Sequence, residues 1–143
     1  NKAAQDLLKA VGCSTNMVAH DWWLYLIVSG AGGVVHYDTE PTLFYRQHED
    51  NLIASNHTLM ARLQRIVMMF KGTLREWIGS NTALLLKNRA LLSEANQQVL
   101  DDFCLARRSW LMPRLIRFRM ARVYRQTRLS NLGLFVAAIF NKI

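Results

Sequence analysis

One carboxylate of this sequence, Asp21, stands between a histidine and two tryptophans in the string His20-Asp21-Trp22-Trp23. Aromatic neighbours would partly desolvate this carboxylate, and a carboxylate so placed can remove a proton from a hydroxyl group. Residue type and position alone favour a simpler role, because an aspartate at a helix start commonly caps the helix. The two roles do not exclude each other, since a side chain in the first turn of a helix is held rigidly.

A second group of polar residues lies in the string Tyr45-Arg46-Gln47-His48, followed by Asn51. The guanidinium of Arg46 is planar and presents a fork of N–H donors, which suits the oxygens of a phosphate group. An ion pair with Glu49 or Asp50 is the simpler alternative for Arg46. A single histidine after a strand, such as His48, is ordinarily a loop residue. These positions therefore indicate a function only when they are taken together.

In this order and at this spacing, four strings resemble the closing motifs of bacterial family 2 glycosyltransferases with the GT-A fold, especially rhamnosyltransferases of surface-polysaccharide biosynthesis. The strings are His20-Asp21-Trp22-Trp23, Val35-His36-Tyr37-Asp38, Glu40-Pro41, and Tyr45-Arg46-Gln47-His48 with Asn51. The resemblance covers residues 1–56 well. In the rest of the chain, the resemblance is limited to the general character of a basic helical tail.

The resemblance implies an inverting, hexosyltransferase-like transfer of a sugar from a nucleotide-sugar donor to an acceptor hydroxyl, with Asp21 as the general base. It places His48 near the donor diphosphate, where an imidazole can ligate a divalent metal. One of the two tryptophans is expected to line the acceptor pocket and the other to pack inward. The substrate-binding positions are then His20, Trp22, Trp23, Arg46, Gln47 and Asn51.

Complete enzymes of this kind carry, upstream, an α/β half whose acidic DxD-like motif holds the metal, Mg or Mn, beside the nucleotide. This sequence contains no DxD motif. The resemblance therefore implies the acceptor-side part of a longer enzyme, inactive in isolation because the donor site is absent. It also implies a saccharide or lipid-linked saccharide acceptor, and a cytoplasmic location that is peripheral at the inner face of the cell membrane.

The charge of the chain is unevenly distributed. Residues 1–56 contain three basic and six acidic side chains, whereas residues 57–143 contain fifteen basic and four acidic ones. The hydrophobic content of 51% is too high for a disordered tail. We therefore expect two parts, the C-terminal part of a GT-A catalytic domain at 1–56 and a basic helical tail at 57–143. Cys13 and Cys104 lack the spacing of a zinc site or a disulfide framework.

The hydrophobic periodicity predicts a mainly α fold with one small two-stranded β element, which corresponds to the C-terminal portion of an α/β GT-A glycosyltransferase followed by a basic helical tail. Residues 34–38 and 42–46 are rich in β-branched and aromatic side chains, which favours two strands. The predicted helices are 2–11, 20–29, 57–78, 82–92, 94–111, 113–128 and 130–141.

The predicted helix at 113–128 is amphipathic and basic. Its apolar face carries Met112, Ile116, Met120, Val123 and Tyr124, and its opposite face carries Arg114, Arg117, Arg125 and Arg128. Such a helix predicts binding of residues 107–128 to an anionic membrane surface. The alternative to an enzyme is a non-enzymatic basic helical module that binds an anionic membrane or nucleic acid. The tail lacks a helix-turn-helix, zinc-finger or RRM pattern, and we expect no nucleic acid. Packing of this face against protein is the third possibility.

Overall fold

The described part of the chain is built from helices. The computed structural model describes residues 2–12, 17–36, 40, 66–125 and 127–143. Helices α1 (Lys2–Val11) and α2 (His20–Gly30) come first, and a helical segment, α3, follows at residues 66–71. The remaining elements are α4 (Thr73–Lys87), a 3-10 turn (Arg89–Leu91), α5 (Glu94–Arg108), α6 (Leu111–Met120) and α7 (Arg128–Ile139).

The predicted β element is not found in the described residues. Residues 34–36 form no strand, and Val34 is 92% exposed. A β-branched pair such as Val34 and Val35 favours a strand only where a second strand supplies hydrogen bonds and a packed face. The predicted strand at 42–46 lies outside the described residues. The prediction of a two-stranded β element within an α/β GT-A portion is therefore wrong, and the described fold is all-helical.

Two glycines have roles opposite to those that the sequence predicts. The predicted helices 57–78 and 82–92 place a break beside Gly79, but α4 runs through Gly79 and the break falls at Gly72. Gly72 has φ +94°, a left-handed conformation that residues with a side chain rarely adopt. Gly79 instead makes room for a guanidinium, because a Cβ added there would lie 3.3 Å from Nη2 of Arg107.

The predicted helix at 113–128 is interrupted. Helix α6 ends before Arg122, which adopts a left-handed φ of +50°. Thr127 then caps the start of α7 through its hydroxyl group, and the side chain of Asn131 bonds both the N–H and the carbonyl of Arg125. These side chains occupy backbone groups that a continuous helix would need, so the helix stops and a new one begins.

Two hydrophobic clusters hold the helices together, and α2 contacts both of them. The first cluster lies among α4, α5, α6 and α7, and its buried members are Ile78, Ala106, Phe118, Leu134, Ala137, Ala138 and Ile143. The second lies among α2, α4 and α5, and its buried members are Trp23, Ile27, Leu84, Leu92 and Leu100. The free thiol of Cys104 packs against the second cluster, and burial raises its pKa.

The predicted division of the chain into 1–56 and 57–143 falls outside the described residues and stays a prediction. What the structure does describe is contact across that division. Helix α2 precedes the division and contacts both hydrophobic clusters. The other members of these clusters follow the division, apart from Leu7, Val11 and Met17, which pack against the second cluster.

Candidate functional site

The first turn of α2 carries the predicted catalytic residue. Helix α2 begins at His20, and its N-cap residue, Ala19, makes no side-chain hydrogen bond to the first backbone N–H groups. Asp21 supplies one, because its Oδ1 accepts a hydrogen bond of 2.8 Å from the Trp22 N–H. The carboxylate also lies at the positive end of the helix dipole. Asp21 is therefore not the N-cap residue, although it stabilises the start of the helix.

The two tryptophans that follow Asp21 hold the start of α2, because each packs against a different hydrophobic cluster. Trp23 is 1% exposed and belongs to the second cluster. Trp22 is half-buried and packs against the first cluster. Because large aromatic side chains bury much surface with few rotatable bonds, this pair holds the backbone at Asp21 in one place. Trp23 is the tryptophan that packs inward, and Trp22 keeps part of its surface accessible.

His20 and Asp21 are both exposed. The partial desolvation that two aromatic neighbours predict for Asp21 is not observed, because Trp22 and Trp23 direct their rings toward the clusters. Among the described residues, the carboxylate keeps Oδ2 without a protein hydrogen-bond donor, while Oδ1 is held by the Trp22 N–H. An external hydroxyl group can therefore approach Oδ2 from solvent.

The other end of α2 is tied to α5. Asn96 donates from Nδ2 to the carbonyls of Ser29 and Gly30, at 3.1 and 3.0 Å. The Ser93 N–H also donates to the Gly30 carbonyl, at 3.0 Å. The last carbonyls of a helix lack a partner in the next turn, and these three bonds supply donors to them from α5 and the residue before it, beside the Gly32 N–H that also donates to Ser29. Helix α2 is thus positioned at both ends, which is what a site on its first turn requires.

We expect Asn96→Ala to lower the free energy of unfolding by about 1–3 kcal/mol, because two hydrogen bonds between α2 and α5 are lost and each contributes about 0.5–1.5 kcal/mol. The Ser29 and Gly30 carbonyls each keep one backbone donor, the Gly32 and Ser93 N–H groups. Urea unfolding followed by circular dichroism measures the change. Gln98→Ala is the matched control, since Gln98 is exposed on the same helix and its bond to Asp102 is long, at 3.4 Å. Equal urea midpoints for the two variants would show that Asn96 does not hold α2.

The other predicted site residues cannot be placed beside Asp21. Arg46, Gln47, His48 and Asn51 lie outside the described residues. Across the ranges that the structure does describe, histidine, cysteine and acidic side chains form no group of three or more that could hold a metal ion. The described residues therefore do not fit a Mg or Mn site, and the assignment of His48 as a metal ligand stays a prediction.

Sequence reasoning missed three arginines that meet at the end of α7. The carbonyls of Ala138, Asn141 and Ile143 accept from Arg114, Arg75 and Arg107, at 3.3, 2.9 and 3.1 Å. Ala138 lies in the last turn of α7, where the negative end of the helix dipole favours a cation, whereas Asn141 and Ile143 follow the helix. Burial lowers the pKa of Arg107 and Arg114, and the charge of Arg75 acts in the same direction.

Arg114 differs from its predicted position on an exposed basic face. It is only 7% exposed, and its Nη2 also donates to the Ser109 carbonyl at 2.7 Å. The helical spacing of Arg114 is the same whether its guanidinium lies in solvent or reaches across the core. The spacing therefore could not show that Arg114 is buried. Arg114 is therefore a structural residue that joins α6 to α7.

The chain is similar to a dTDP-rhamnosyl transferase, RfbG, from Shigella flexneri, with 24% identity over 95 residues. The similar region is 66% of this chain and 33% of the Shigella protein, so the chain corresponds to about a third of that relative. No protein-family model matches the chain, and no solved structure matches it. This distant similarity supports a glycosyltransferase-like relationship.

Proposed function

We propose that this chain provides the acceptor side of a family 2 rhamnosyltransferase, which moves rhamnose from dTDP-rhamnose to a hydroxyl group of a saccharide or lipid-linked saccharide. The observation that carries the proposal is the exposed Asp21 carboxylate on a helix end that both hydrophobic clusters hold in place. The similarity to a dTDP-rhamnosyl transferase supports the choice of donor. The activity belongs to the native polypeptide that carries this sequence.

Asp21 is the general base in the proposed reaction. As the acceptor oxygen attacks the anomeric carbon, its proton moves to Oδ2 of Asp21. The bond between the anomeric carbon and the dTDP oxygen breaks at the same time, and dTDP leaves with that electron pair. Attack from the face opposite the leaving group inverts the anomeric configuration. The proton on Asp21 is afterwards released to water, which returns the carboxylate to its starting state.

The first turn of α2 suits this role for two reasons. The Trp22 N–H holds Oδ1 of Asp21 in one orientation, which leaves Oδ2 for an acceptor hydroxyl group. A base must also meet one particular hydroxyl group, and a displacement of about 1 Å can lower the rate about 100-fold. The burial of Trp23 limits such displacement, because the ring cannot move without opening the second cluster.

His20 and Trp22 flank the base in the sequence, and each keeps accessible surface. We propose that the accessible part of the Trp22 ring lies against the apolar face of an acceptor sugar, and that His20 hydrogen-bonds one of its hydroxyl groups. Arg46, Gln47 and Asn51 are proposed to contact the substrates as well. No step of the reaction is assigned to a metal, because the described residues do not fit one.

We expect the native polypeptide to transfer labelled rhamnose from dTDP-rhamnose to a lipid-extractable saccharide fraction from the source cells.

The isolated 143-residue chain is expected to show no saturable binding of dTDP-rhamnose tighter than about 1 mM, a weak affinity of about −4 kcal/mol. Isothermal titration calorimetry measures that binding, and dTMP is the control ligand. Absence of label transfer by the native polypeptide would contradict the proposed function, and tight binding by the isolated chain would contradict its acceptor-side role.

A further inference from the structure

Helix α6 exposes large apolar side chains on the side that faces away from the protein. Met112, Ile116 and Met120 follow one another at intervals of four residues, which places them on one face of a helix, and they are 56%, 57% and 62% exposed. Trp110, directly before the helix, is 71% exposed. We refer to these four residues as the α6 outer face.

The α6 outer face is not needed for the fold of the described residues. The opposite side of the helix already supplies the core contacts, through Phe118 in the first cluster and the buried Arg114. Leu115 also packs against that cluster. An amphipathic helix on a protein surface normally presents polar residues to solvent, whereas α6 presents a second apolar stripe. A contiguous exposed apolar patch of this kind marks an interaction site.

The charge around the α6 outer face selects the kind of partner. The segment from residue 103 to residue 143 contains nine basic residues and no acidic residue. At 100° per residue, Arg117 and Arg119 lie on either side of the apolar stripe, and Arg122 follows the end of α6. Arg114 is excluded from this set, because it is buried and donates to the carbonyls of Ala138 and Ser109.

We propose that the α6 outer face binds the surface of an anionic phospholipid bilayer. The apolar stripe enters the boundary between headgroups and acyl chains, and the flanking arginines contact lipid phosphates. None of the helices in the described part of the chain has both the length and the apolar character that crossing a bilayer requires. Helix α6 therefore lies along the surface. This inference does not depend on the proposed sugar transfer.

The arrangement fits lipid better than nucleic acid. Phosphates of a nucleic acid would satisfy the arginines, but they would leave Met112, Ile116 and Met120 in water, since nucleic-acid interfaces are polar and strongly charged. A lipid surface covers both parts of the α6 outer face, because it offers anionic phosphates directly above an apolar layer. Duplex DNA is therefore the competing ligand in the experiment below.

The first experiment changes the charge. The triple variant Arg117→Gln, Arg119→Gln, Arg122→Gln should bind mixed phosphatidylglycerol and phosphatidylcholine vesicles about 100-fold more weakly than the wild type, at about five-fold per basic group. Lys2→Gln, Lys9→Gln, Lys87→Gln is the matched control, since it removes the same charge at exposed positions of α1 and α4. Vesicle sedimentation at moderate salt measures the binding, and circular dichroism verifies that both variants are folded.

The second experiment changes the apolar stripe and follows Trp110. Met112→Ser, Ile116→Ser, Met120→Ser should weaken binding to the same vesicles at least ten-fold, whereas Leu86→Ser, Leu105→Ser, at exposed positions of α4 and α5, should not. Tryptophan emission of the wild-type chain should shift to shorter wavelength when vesicles are added. The shift should be largely lost in Trp110→Phe, because Trp110 is the tryptophan beside the stripe.

Three results would overturn the proposal. The first is equal vesicle binding by the arginine triple variant and its lysine control. The second is wild-type binding to anionic vesicles that persists unchanged at high salt and shows no shift of the Trp110 emission. The third is tighter binding to duplex DNA than to vesicles at the same salt concentration. Loss of sugar transfer with intact vesicle binding would contradict the proposed function and leave this inference standing.

Discussion

Replacement of Asp21 by asparagine is expected to lower kcat for rhamnose transfer about 10²–10⁴-fold, the usual effect of losing a general base. The KM for dTDP-rhamnose should stay nearly unchanged, because the base acts on the acceptor proton and not on the nucleotide. The asparagine Oδ1 can still accept the Trp22 N–H bond that Asp21 makes, so the helix start is preserved. Initial rates measured at several donor concentrations separate kcat from KM.

Asp6→Asn is the matched control for Asp21→Asn, because Asp6 is an exposed carboxylate in another helix, α1. Its kcat should equal that of the wild type. A near-normal kcat for Asp21→Asn would show that Asp21 only stabilises the helix and that the base lies elsewhere.

Trp23→Ala is expected to lower the free energy of unfolding by about 3–5 kcal/mol, the range for truncating a buried aromatic residue. Trp23 is 1% exposed and fills the second cluster between α2, α4 and α5, so the loss would leave a cavity. This is a large part of the stability of an ordinary domain, which is about 5–15 kcal/mol. Urea unfolding at low temperature, where the variant stays folded, measures the difference.

Trp110→Ala is the control for the same residue type, since Trp110 is 71% exposed, and its effect should stay within about 0.5 kcal/mol. A change smaller than about 1 kcal/mol for Trp23→Ala would show that Trp23 does not anchor α2. If Trp23 anchors α2, Trp23→Ala should also lower kcat at temperatures where the protein is fully folded, because loss of the ring leaves the first turn of α2 less well fixed. Unchanged kcat in folded Trp23→Ala would separate stability from positioning.

Helices α1 and α2 could be predicted because their signals are local. Residues 2–11 place apolar side chains at helical spacing, and Gly12 stops the helix with a φ of +74°. Residues 20–29 are apolar nearly all round, as suits a helix that contacts two clusters. The break after Arg122 was missed although its signals are also in the sequence: Thr127 is a favourable N-cap, and Asn131 is able to bond the turn before it.

Gly72 and Gly79 show where local reasoning ends. Both stand in apolar, helix-forming surroundings, and either could break a helix. Only the tertiary structure separates them, because Gly79 is small in order to admit Arg107 from α5, while Gly72 adopts a left-handed backbone. The failed β prediction has a similar cause. Val34 and Val35 have strand-forming side chains, but a strand needs a partner, and the described residues place none beside them.

The catalytic role of Asp21 stays a prediction, and the surroundings of Asp21 in the structure differ from those that the sequence predicts. The neighbours of Asp21 in the sequence predict partial burial of its carboxylate, but Asp21 is exposed. A helix turns consecutive side chains by 100°, and the two tryptophans pack against the clusters. The support from Asn96 could not be predicted, since it joins positions 66 residues apart along the chain. Such contacts require knowledge of how α2 and α5 pack.

The arginines at the end of α7 bear on how this protein can change during evolution. Arg75, Arg107 and Arg114 bind main-chain carbonyls, which every amino acid provides. Substitutions within residues 138–143 therefore leave the acceptors in place, and selection at those positions acts only through packing and backbone conformation. Among relatives, the three arginines should be retained while the residues that they contact vary. No compensating change of charge should accompany that variation, so pairwise co-variation would not reveal these contacts.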